Sequence, residues 1–480
     1  MINRNHFQVI LLCAFVYSLP YALSSAFYID DADRSYSGLS NMALNGRPLA
    51  DVIMMLVSAG SKVVDVSPAT YILSALAIFT ATYVYMKMAG VNSHTLLISS
   101  TAACFSPFIL QNFAYKFDSI TMGIGIGLAI FASCHKTVVS RSAGVVLSAL
   151  LLVGSLSLYQ PAINIYFSLV CSLILVGIYI NKELDTKLIV DKFLSFLISI
   201  GVYYFIIVPL SVTGGYAEKH GKVSSSLLDT VTNNAISFYR VIDSGLAGLH
   251  GKIITLFITS PVLILLLIAI KLLPSENKAL SKVFYISFSA ACIAIIYSSI
   301  GGLLLPLAQP IYSPRVLVGF SGVCISSCLI WSVIARNNAK FIIAITALAA
   351  LSCVYAYGNA LKAQAENDRF LLSSIAKDFI DMNKDAKYMI IGKKPEIATG
   401  VEAAARNFGI IKTITPSYVR FGWMFSNQMM AKLGVDLKYK FGEDHKHYID
   451  KLCKNNHSIN YLYAYGIVGD SYVVDFNKCK

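Results

Sequence analysis

The chain has 480 residues, of which 56% are hydrophobic and only 14% are charged. A soluble domain carries about a quarter charged residues, so this composition excludes an ordinary soluble enzyme and indicates a polytopic membrane protein. The net charge of +13 is explained by lysines and arginines in short loops between spans, where membrane topology favours them. No basic stripe interleaved with aromatic residues indicates a nucleic-acid partner.

Apolar segments in the chain predict about eleven membrane spans, since a span takes about 20 residues. The third, fourth and fifth are short, and short or interrupted helices at membrane depth usually line a cavity. Lysines and arginines such as Lys87, Lys187 and Arg336 fall in alternate loops. The positive-inside rule then predicts a cytoplasmic N-terminus and, with an odd number of spans, an outer C-terminus. The expected spans are residues 7–26, 69–88, 95–112, 119–134, 144–158, 162–180, 193–212, 251–271, 283–304, 315–335 and 341–357.

The first outer loop, residues 27–68, is dense with charge directly behind the first span. Asp30, Asp31, Asp33 and Arg34 are almost contiguous, and Arg47 follows after a turn. In a local helix, Arg34 would lie at i+4 from Asp30 and i+3 from Asp31, close enough to hold one carboxylate. Neighbouring carboxylates push each other's pKa values apart, which is one route to a general base. The alternative is a solvated acidic loop that caps the first span.

A second candidate site, Tyr115-Lys116-Phe117-Asp118, lies between the third and fourth spans. Ionised groups at membrane depth are costly unless they pair or face water. Lys116 is expected either to bind a phosphate, with Asp118 orienting it, or to form a self-satisfied pair with Asp118.

Two further candidates lie at the outer ends of spans. Gln160 is placed to hydrogen-bond a sugar hydroxyl, although Tyr159 and the following proline also fit an interfacial aromatic residue at a helix break. Tyr312 and Arg315 are placed to bind the donor phosphate or substrate, or else Arg315 extends to the membrane surface by snorkelling.

The chain divides into a transmembrane part, residues 1–357, and a C-terminal part, residues 358–480. In the second part, charged helical patterns alternate with short apolar runs at 388–391 and 472–476, which predicts a small α/β domain. Cys453 and Cys479 lie in this polar region and can pair if it is periplasmic. No cysteine spacing indicates zinc. Residues 214–250 are expected to form an outer loop over the cavity.

The stretch YIDDADR followed by NGRPLAD, directly behind the first span, together with YKFDS, resembles the type II Gtr family of serotype-converting O-antigen glucosyltransferases. The resemblance implies a GT-C type membrane glycosyltransferase of the bacterial inner membrane, with its C-terminal domain in the periplasm. It implies a polyprenyl-phosphate donor, undecaprenyl-phosphate glucose, and a lipid-linked or lipopolysaccharide glycan as acceptor. It implies a catalytic acidic residue in the first outer loop: Asp31 first, then Asp30, with Asp33 third. Arg34 and Arg47 would hold the carboxylates or the donor phosphate.

No cofactor and no metal are expected, because paired cations can stabilise a departing lipid phosphate in place of a divalent ion. The alternative function is a transporter or flippase of lipid-linked sugars, which would carry charged residues near mid-membrane in two related halves. No such internal symmetry is visible. An O-antigen polymerase or ligase would share the partners and location, but would centre on later loops.

Overall fold

The computed structural model describes residues 2–134, 140–213, 215–272, 279–382, 385–392, 395–420, 424–440, 445–455 and 457–480. Within these ranges, eight helices are long and apolar enough to cross a membrane, which agrees with a helical membrane protein. They are Arg4–Ser24, Ala69–Met88, Arg141–Leu158, Gln160–Asn181, Thr186–Ser211, Gly248–Leu272, Leu280–Ser298 and Arg336–Asp381.

Three shorter apolar helices, Pro48–Val57, Ser119–Ser133 and Gly319–Ile334, accompany these eight. Two of them take the place of expected spans, 119–134 and 315–335, and they contain only 15 and 16 residues. The total of eleven spans stays a prediction, as does the GT-C fold.

The segment expected to form the third span, residues 95–112, is a broken helix. The chain there forms the helix Ser93–Ser99, two 3-10 turns, and the short helix Leu110–Ala114. The break falls at Ser106, which is extended with ψ 122°, because a residue before proline is pushed out of the α region. Its Oγ accepts a hydrogen bond from Phe108 N–H at 3.3 Å. The broken stretch is buried from Ala102 onward, so its irregular backbone faces protein, as the membrane environment requires.

Small residues allow close helix packing in the transmembrane part. A Cβ added to Gly123 would overlap Ser74, and one added to Gly358 would overlap the backbone of Pro20. The first contact joins Ser119–Ser133 to Ala69–Met88, and the second joins the first and last long helices. The run of glycines at 123–127 therefore serves packing, as membrane helices commonly use it.

Several segments that connect the spans form helices at one end of the bundle. Asp31–Ser37 and Pro48–Val57 belong to the first loop, and Gly215–Gly221 and Leu227–Gly245 follow the seventh expected span. Asn234 of the last helix donates through Nδ2 to the carbonyls of Leu305 and Leu307 at 2.7 and 2.9 Å. These hydrogen bonds fix residues 215–245, here named the cover segment, over the bundle end.

The C-terminal part is a small α/β fold, as expected. Strands β1 (Tyr388–Ile391), β2 (Lys438–Tyr439), β3 (Ser458–Ile459), β4 (Ala464–Val468) and β5 (Ser471–Asp475) form a sheet in the order β2-β1-β5-β4-β3. Strand β1 is parallel to β2 and β5, and β4 is antiparallel to β3 and β5. A disulfide joins Cys453 to Cys479. The helices of this part are Thr399–Asn407, Ile410–Ile414, Met424–Ala431 and His445–Lys454.

The two parts of the chain share one helix. Ala339–Asp381 runs for 43 residues and passes the expected boundary at 357/358 without a break. Beyond that point its exposed face carries charged residues such as Lys362 and Glu366, paired at 4.0 Å. The change in composition at residue 357 therefore marks where the apolar part of the helix ends, while the helix itself continues.

Candidate functional site

The first loop brings its carboxylates to the end of the bundle through a sharp change of direction. The helix Arg4–Ser24 is followed by its C-cap residue Ser25, and Asp30 precedes the helix Asp31–Ser37. Between them, Ile29 has φ 47°. A β-branched residue in this left-handed region is strained by about 1–3 kcal/mol, so neighbouring groups must hold the backbone there. The hydroxyl of Tyr418 accepts a hydrogen bond from Ile29 N–H at 2.7 Å and donates one to the carbonyl of Phe27.

Asp31 is fully buried and joins two segments of the chain. Its Oδ2 accepts hydrogen bonds from the backbone N–H groups of Tyr28 at 2.9 Å and Lys116 at 2.8 Å. Burial raises the pKa of the Asp31 carboxyl to about 7, and the Lys116 N–H bond and the charge of Arg34 oppose that rise. Because both its oxygens face backbone donors, Asp31 holds the first loop against residues 115–118.

Arg34 lies between two carboxylates. Its Nη2 is 3.1 Å from Oδ2 of Asp118 and 4.0 Å from Oδ2 of Asp30, the latter being the i, i+4 pair expected from the sequence. The side chains of Arg34 and Asp118 are each only 5% exposed, whereas that of Asp30 is 41% exposed. Burial raises the pKa of Asp118, and Arg34 opposes the rise. Two guanidinium nitrogens, Nε and Nη1, have no hydrogen-bond partner among the described residues.

A cavity of about 730 Å³ opens at this end of the bundle. Six of the predicted site residues line it, namely Asp30, Arg47, Asp118, Tyr159, Gln160 and Arg315. The cover segment contributes Glu218, His220 and Lys222 to the lining. One wall is apolar and belongs to the candidate span Thr186–Ser211, including Ile200 and Val208. The cavity therefore offers charge at one side and a membrane helix at another.

Arg47 is held over the cavity by its neighbours. Its Nε donates to Oε1 of Gln160 at 2.8 Å, and its guanidinium lies 5.8 Å from the ring centre of Tyr159. The amide of Gln160 donates in turn to Asn45 O at 2.8 Å and to the hydroxyl of Tyr203 at 3.1 Å. Because the Gln160 amide already has these partners, its role in the structure is to position Arg47, and its amide hydrogens are not free to bind a sugar hydroxyl.

Arg315 is fixed through both its backbone and its side chain. Its N–H donates to Oε1 of Gln111 at 2.8 Å, and its carbonyl accepts from Nδ2 of Asn112 at 3.2 Å and from the hydroxyl of Tyr159. The guanidinium donates to the hydroxyl of Tyr115 and lies 5.4 Å from the centre of that ring. The cavity thus has two arginines, Arg47 and Arg315, and Tyr159 contacts both of them.

Five predicted site residues do not line the cavity: Asp31, Asp33, Arg34, Lys116 and Tyr312. Asp33 accepts a hydrogen bond from Nε2 of Gln428 at 2.6 Å, and the hydroxyl of Tyr312 donates to Asn234. Arg34 lies behind the lining and pairs with Asp118. Asp31 also lies behind the lining and binds the backbone of Tyr28 and Lys116.

The expected contact between Lys116 and Asp118 is wrong. The Nζ of Lys116 lies 2.9 Å from Oδ2 of Asp65 and 4.5 Å from the ring centre of Phe27, whereas Asp118 pairs with Arg34. The cause is Asp31, which binds the backbone of Lys116 and leaves its side chain on the side away from the cavity.

Sequence reasoning missed the partners that come from distant parts of the chain. Asp65 pairs with Lys116, Gln111 and Asn112 hold Arg315, and Tyr418 holds the first loop. The polar residues of the broken segment before Tyr115 were a usable signal, since polar side chains inside an apolar stretch need partners. Nothing near Tyr418 in sequence indicates its contact.

Metal ligands are sparse among the described residues. One group of three possible ligands is present, Cys453, Asp475 and Cys479, but its two sulfurs are joined in the disulfide and are not thiolates. Behind the cavity lining, Nη2 of Arg34 lies 3.1 Å from the carboxylate of Asp118 and 4.0 Å from that of Asp30.

Comparison with known proteins gives this arrangement a family. Residues 19–326 match the family described as glucosyl transferase GtrII. The chain belongs to this family. The matched range contains every residue that lines the cavity and ends before the C-terminal part, so the GtrII region by itself carries the charged site. The transporter alternative is set aside, because the family is one of glucosyltransferases.

A relative of this GtrII protein occurs in Salmonella phage P22, where it is described as an uncharacterized 55.3 kDa protein in the gtrB 5' region. The two sequences are 25% identical over 498 residues, which covers 99% of each chain. No solved structure matches the chain.

Proposed function

We propose that this GtrII glucosyltransferase moves glucose from a polyprenyl-phosphate donor to O-antigen or a related surface glycan on the periplasmic side of the bacterial inner membrane. The observation that carries the proposal is a single cavity that combines an accessible carboxylate, Asp30, with two arginines, Arg47 and Arg315, and an apolar wall from a membrane helix. A lipid-linked sugar phosphate is complementary to this lining, because its phosphate can pair with the arginines and its lipid chain can pack on the apolar wall. The disulfide in the C-terminal part supports a periplasmic location, because disulfides persist in oxidising compartments.

Asp30 is the general base of the proposed reaction. It lines the cavity and its side chain is 41% exposed. Asp31 is buried, does not line the cavity, and accepts hydrogen bonds from the backbone N–H groups of Tyr28, Lys116 and Phe117. This reverses the order that the sequence predicts for the two residues. The positive charge of Arg34 offsets the negative charges of Asp118 and Asp30. Asp33 takes no part in the proposed reaction.

The reaction is a transfer at the anomeric carbon. The carboxylate of Asp30 takes the proton of an acceptor hydroxyl, the acceptor oxygen forms a bond to C1 of glucose, and the bond from C1 to the phosphate oxygen breaks. The bonding electrons leave with that oxygen, so the departing lipid phosphate gains a negative charge. Arg47 and Arg315 bind this charge as it develops, which stabilises the transition state more than the ground state.

A reconstituted assay tests the donor class. Purified protein in liposomes is expected to move radiolabelled glucose to lipopolysaccharide from undecaprenyl-phosphate glucose and not from UDP-glucose. EDTA is expected to leave the rate unchanged, because the arginines supply the charge that a divalent ion would otherwise bring. Transfer from UDP-glucose alone, or complete loss with EDTA that added Mg²⁺ or Mn²⁺ restores, would reject this part of the proposal.

The two cavity arginines are expected to act on the departing phosphate. Arg47→Gln and Arg315→Gln should each lower kcat/KM by about 10²–10³-fold, the usual cost of removing one group that stabilises developing charge. Arg47→Lys should recover part of the loss, since the charge remains. The control is Arg141→Gln, an exposed arginine paired with Asp191 away from the cavity, which should have wild-type rates. Wild-type rates in both cavity variants would place the phosphate elsewhere.

A further inference from the structure

The C-terminal part of the chain contacts the first loop at several points. Tyr28 donates through its hydroxyl to Ile414 O at 2.7 Å, and Gln428 donates to Asp33 at 2.6 Å. Lys432 donates to the hydroxyl of Ser35. Its Nζ also lies 3.7 Å from the ring centre of Phe27. The loop that carries Asp30 is therefore packed between the transmembrane helices and the C-terminal part.

Tyr418 differs from the other contacts because it binds the backbone immediately before Asp30. Its hydroxyl accepts from Ile29 N–H and donates to Phe27 O, so a single phenol oxygen bridges the turn on both sides of Tyr28. The side chain is 4% exposed, and burial raises the pKa of Tyr418. The phenol therefore keeps the proton that it donates.

The position of Tyr418 is itself fixed by the long helix Ala339–Asp381. Asp368, 1% exposed in Ala339–Asp381, accepts from Tyr418 N–H at 2.9 Å through Oδ2 and from Ser417 Oγ at 3.3 Å through Oδ1. Nε2 of Gln364 also donates to Oδ1 at 2.9 Å. Tyr418 thus connects the helix Ala339–Asp381 to the first loop: its backbone N–H binds Asp368, and its hydroxyl binds Ile29.

We propose that Tyr418 is a positioning residue for Asp30, and that the C-terminal part is thereby a working component of the catalytic unit. The inference rests on the proposed function, in which Asp30 is the base. The Tyr418 hydroxyl stabilises Ile29 at its positive φ, and that conformation directs the first turn of Asp31–Ser37 so that Asp30 faces the cavity. Without the hydroxyl, Ile29 relaxes toward the ordinary negative φ of a β-branched residue, and the carboxylate of Asp30 turns away.

The test removes only the hydroxyl. Tyr418→Phe should lower kcat by about 10²-fold, because a misplacement of about 1 Å in a reacting group has this effect, while KM for the donor stays at the wild-type value. Adding Ile29→Gly should restore much of the lost kcat, since glycine adopts positive φ without strain. The control is Tyr461→Phe, a tyrosine of the C-terminal part that is 90% exposed, and it should match wild type.

A second measurement does not depend on activity. The rate of hydrogen–deuterium exchange at the backbone amides of residues 27–37 should rise in Tyr418→Phe and remain at the wild-type value in Tyr461→Phe. Unchanged kcat, a raised donor KM with normal kcat, or a lost kcat that Ile29→Gly fails to restore would each overturn the inference. If the wild-type protein does not transfer glucose from the lipid phosphate, the proposed function is rejected. Faster amide exchange in Tyr418→Phe would in that case still show that the Tyr418 hydroxyl orders the first loop.

Discussion

Replacing Asp30 by asparagine is expected to lower the kcat of glucose transfer by about 10²–10⁴-fold, which is the contribution of a positioned general base. The asparagine side chain has nearly the same shape but cannot take the proton of the acceptor hydroxyl. Thermal stability should stay close to wild type, because Asp30 is 41% exposed and its 4.0 Å pair with Arg34 is a weak one. Initial rates with undecaprenyl-phosphate glucose, together with the Tm of the purified protein, measure both effects.

The neighbouring carboxylates supply the controls for this result. Asp31→Asn should lower Tm and activity together, because an amide cannot accept hydrogen bonds at both of the oxygens that Asp31 presents to Tyr28, Lys116 and Phe117. Asp33→Asn should retain near wild-type rates, since Asp33 faces Gln428 outside the cavity. If Asp30→Asn transfers glucose at the wild-type rate, while Asp31→Asn is stably folded but inactive, the general base is Asp31.

The sequence predicted the local contacts of this site, but it did not predict which of the two adjacent aspartates is buried. The i, i+4 relation of Asp30 and Arg34 follows from helical spacing alone, and the structure contains that pair. Which of two adjacent aspartates is buried depends on residues 115–118, whose approach to the first loop is not visible in spacing. The preference for Asp31 over Asp30 therefore could not be settled from the chain alone.

Elements of the fold were predictable where the signal is local. The apolar run at 471–475 and the long apolar helices follow directly from composition and periodicity. Pro107 is a local signal for the break within residues 95–112. The continuation of the helix Ala339–Asp381 past residue 357 was missed because Gly358 and the change to charged residues beyond it resemble a helix end. In the structure, Gly358 lies inside the helix and packs against Pro20.

Arg34→Met is expected to have the largest effect on stability. Asp118 is 5% exposed and its only ion pair among the described residues is with Arg34, so the substitution leaves a buried carboxylate without its cation. Removing one partner of a buried pair typically costs about 3–5 kcal/mol. The protein should unfold at lower temperature, and transfer should fall because Asp118 lines the cavity beside Asp30.

A double-mutant cycle separates the ion pair from simple packing loss. Asp118→Leu alone leaves the Arg34 guanidinium buried without a carboxylate at 3.1 Å, so it should also be strongly destabilising. The double variant, Arg34→Met with Asp118→Leu, removes both charges and should be more stable than either single variant, because apolar replacement of a buried pair is often neutral. Arg141→Met, which breaks an exposed pair, should change stability by about 0–1 kcal/mol. If the losses of the two single variants simply add in the double variant, Arg34 and Asp118 act independently, and the charge balance proposed around Asp30 is wrong.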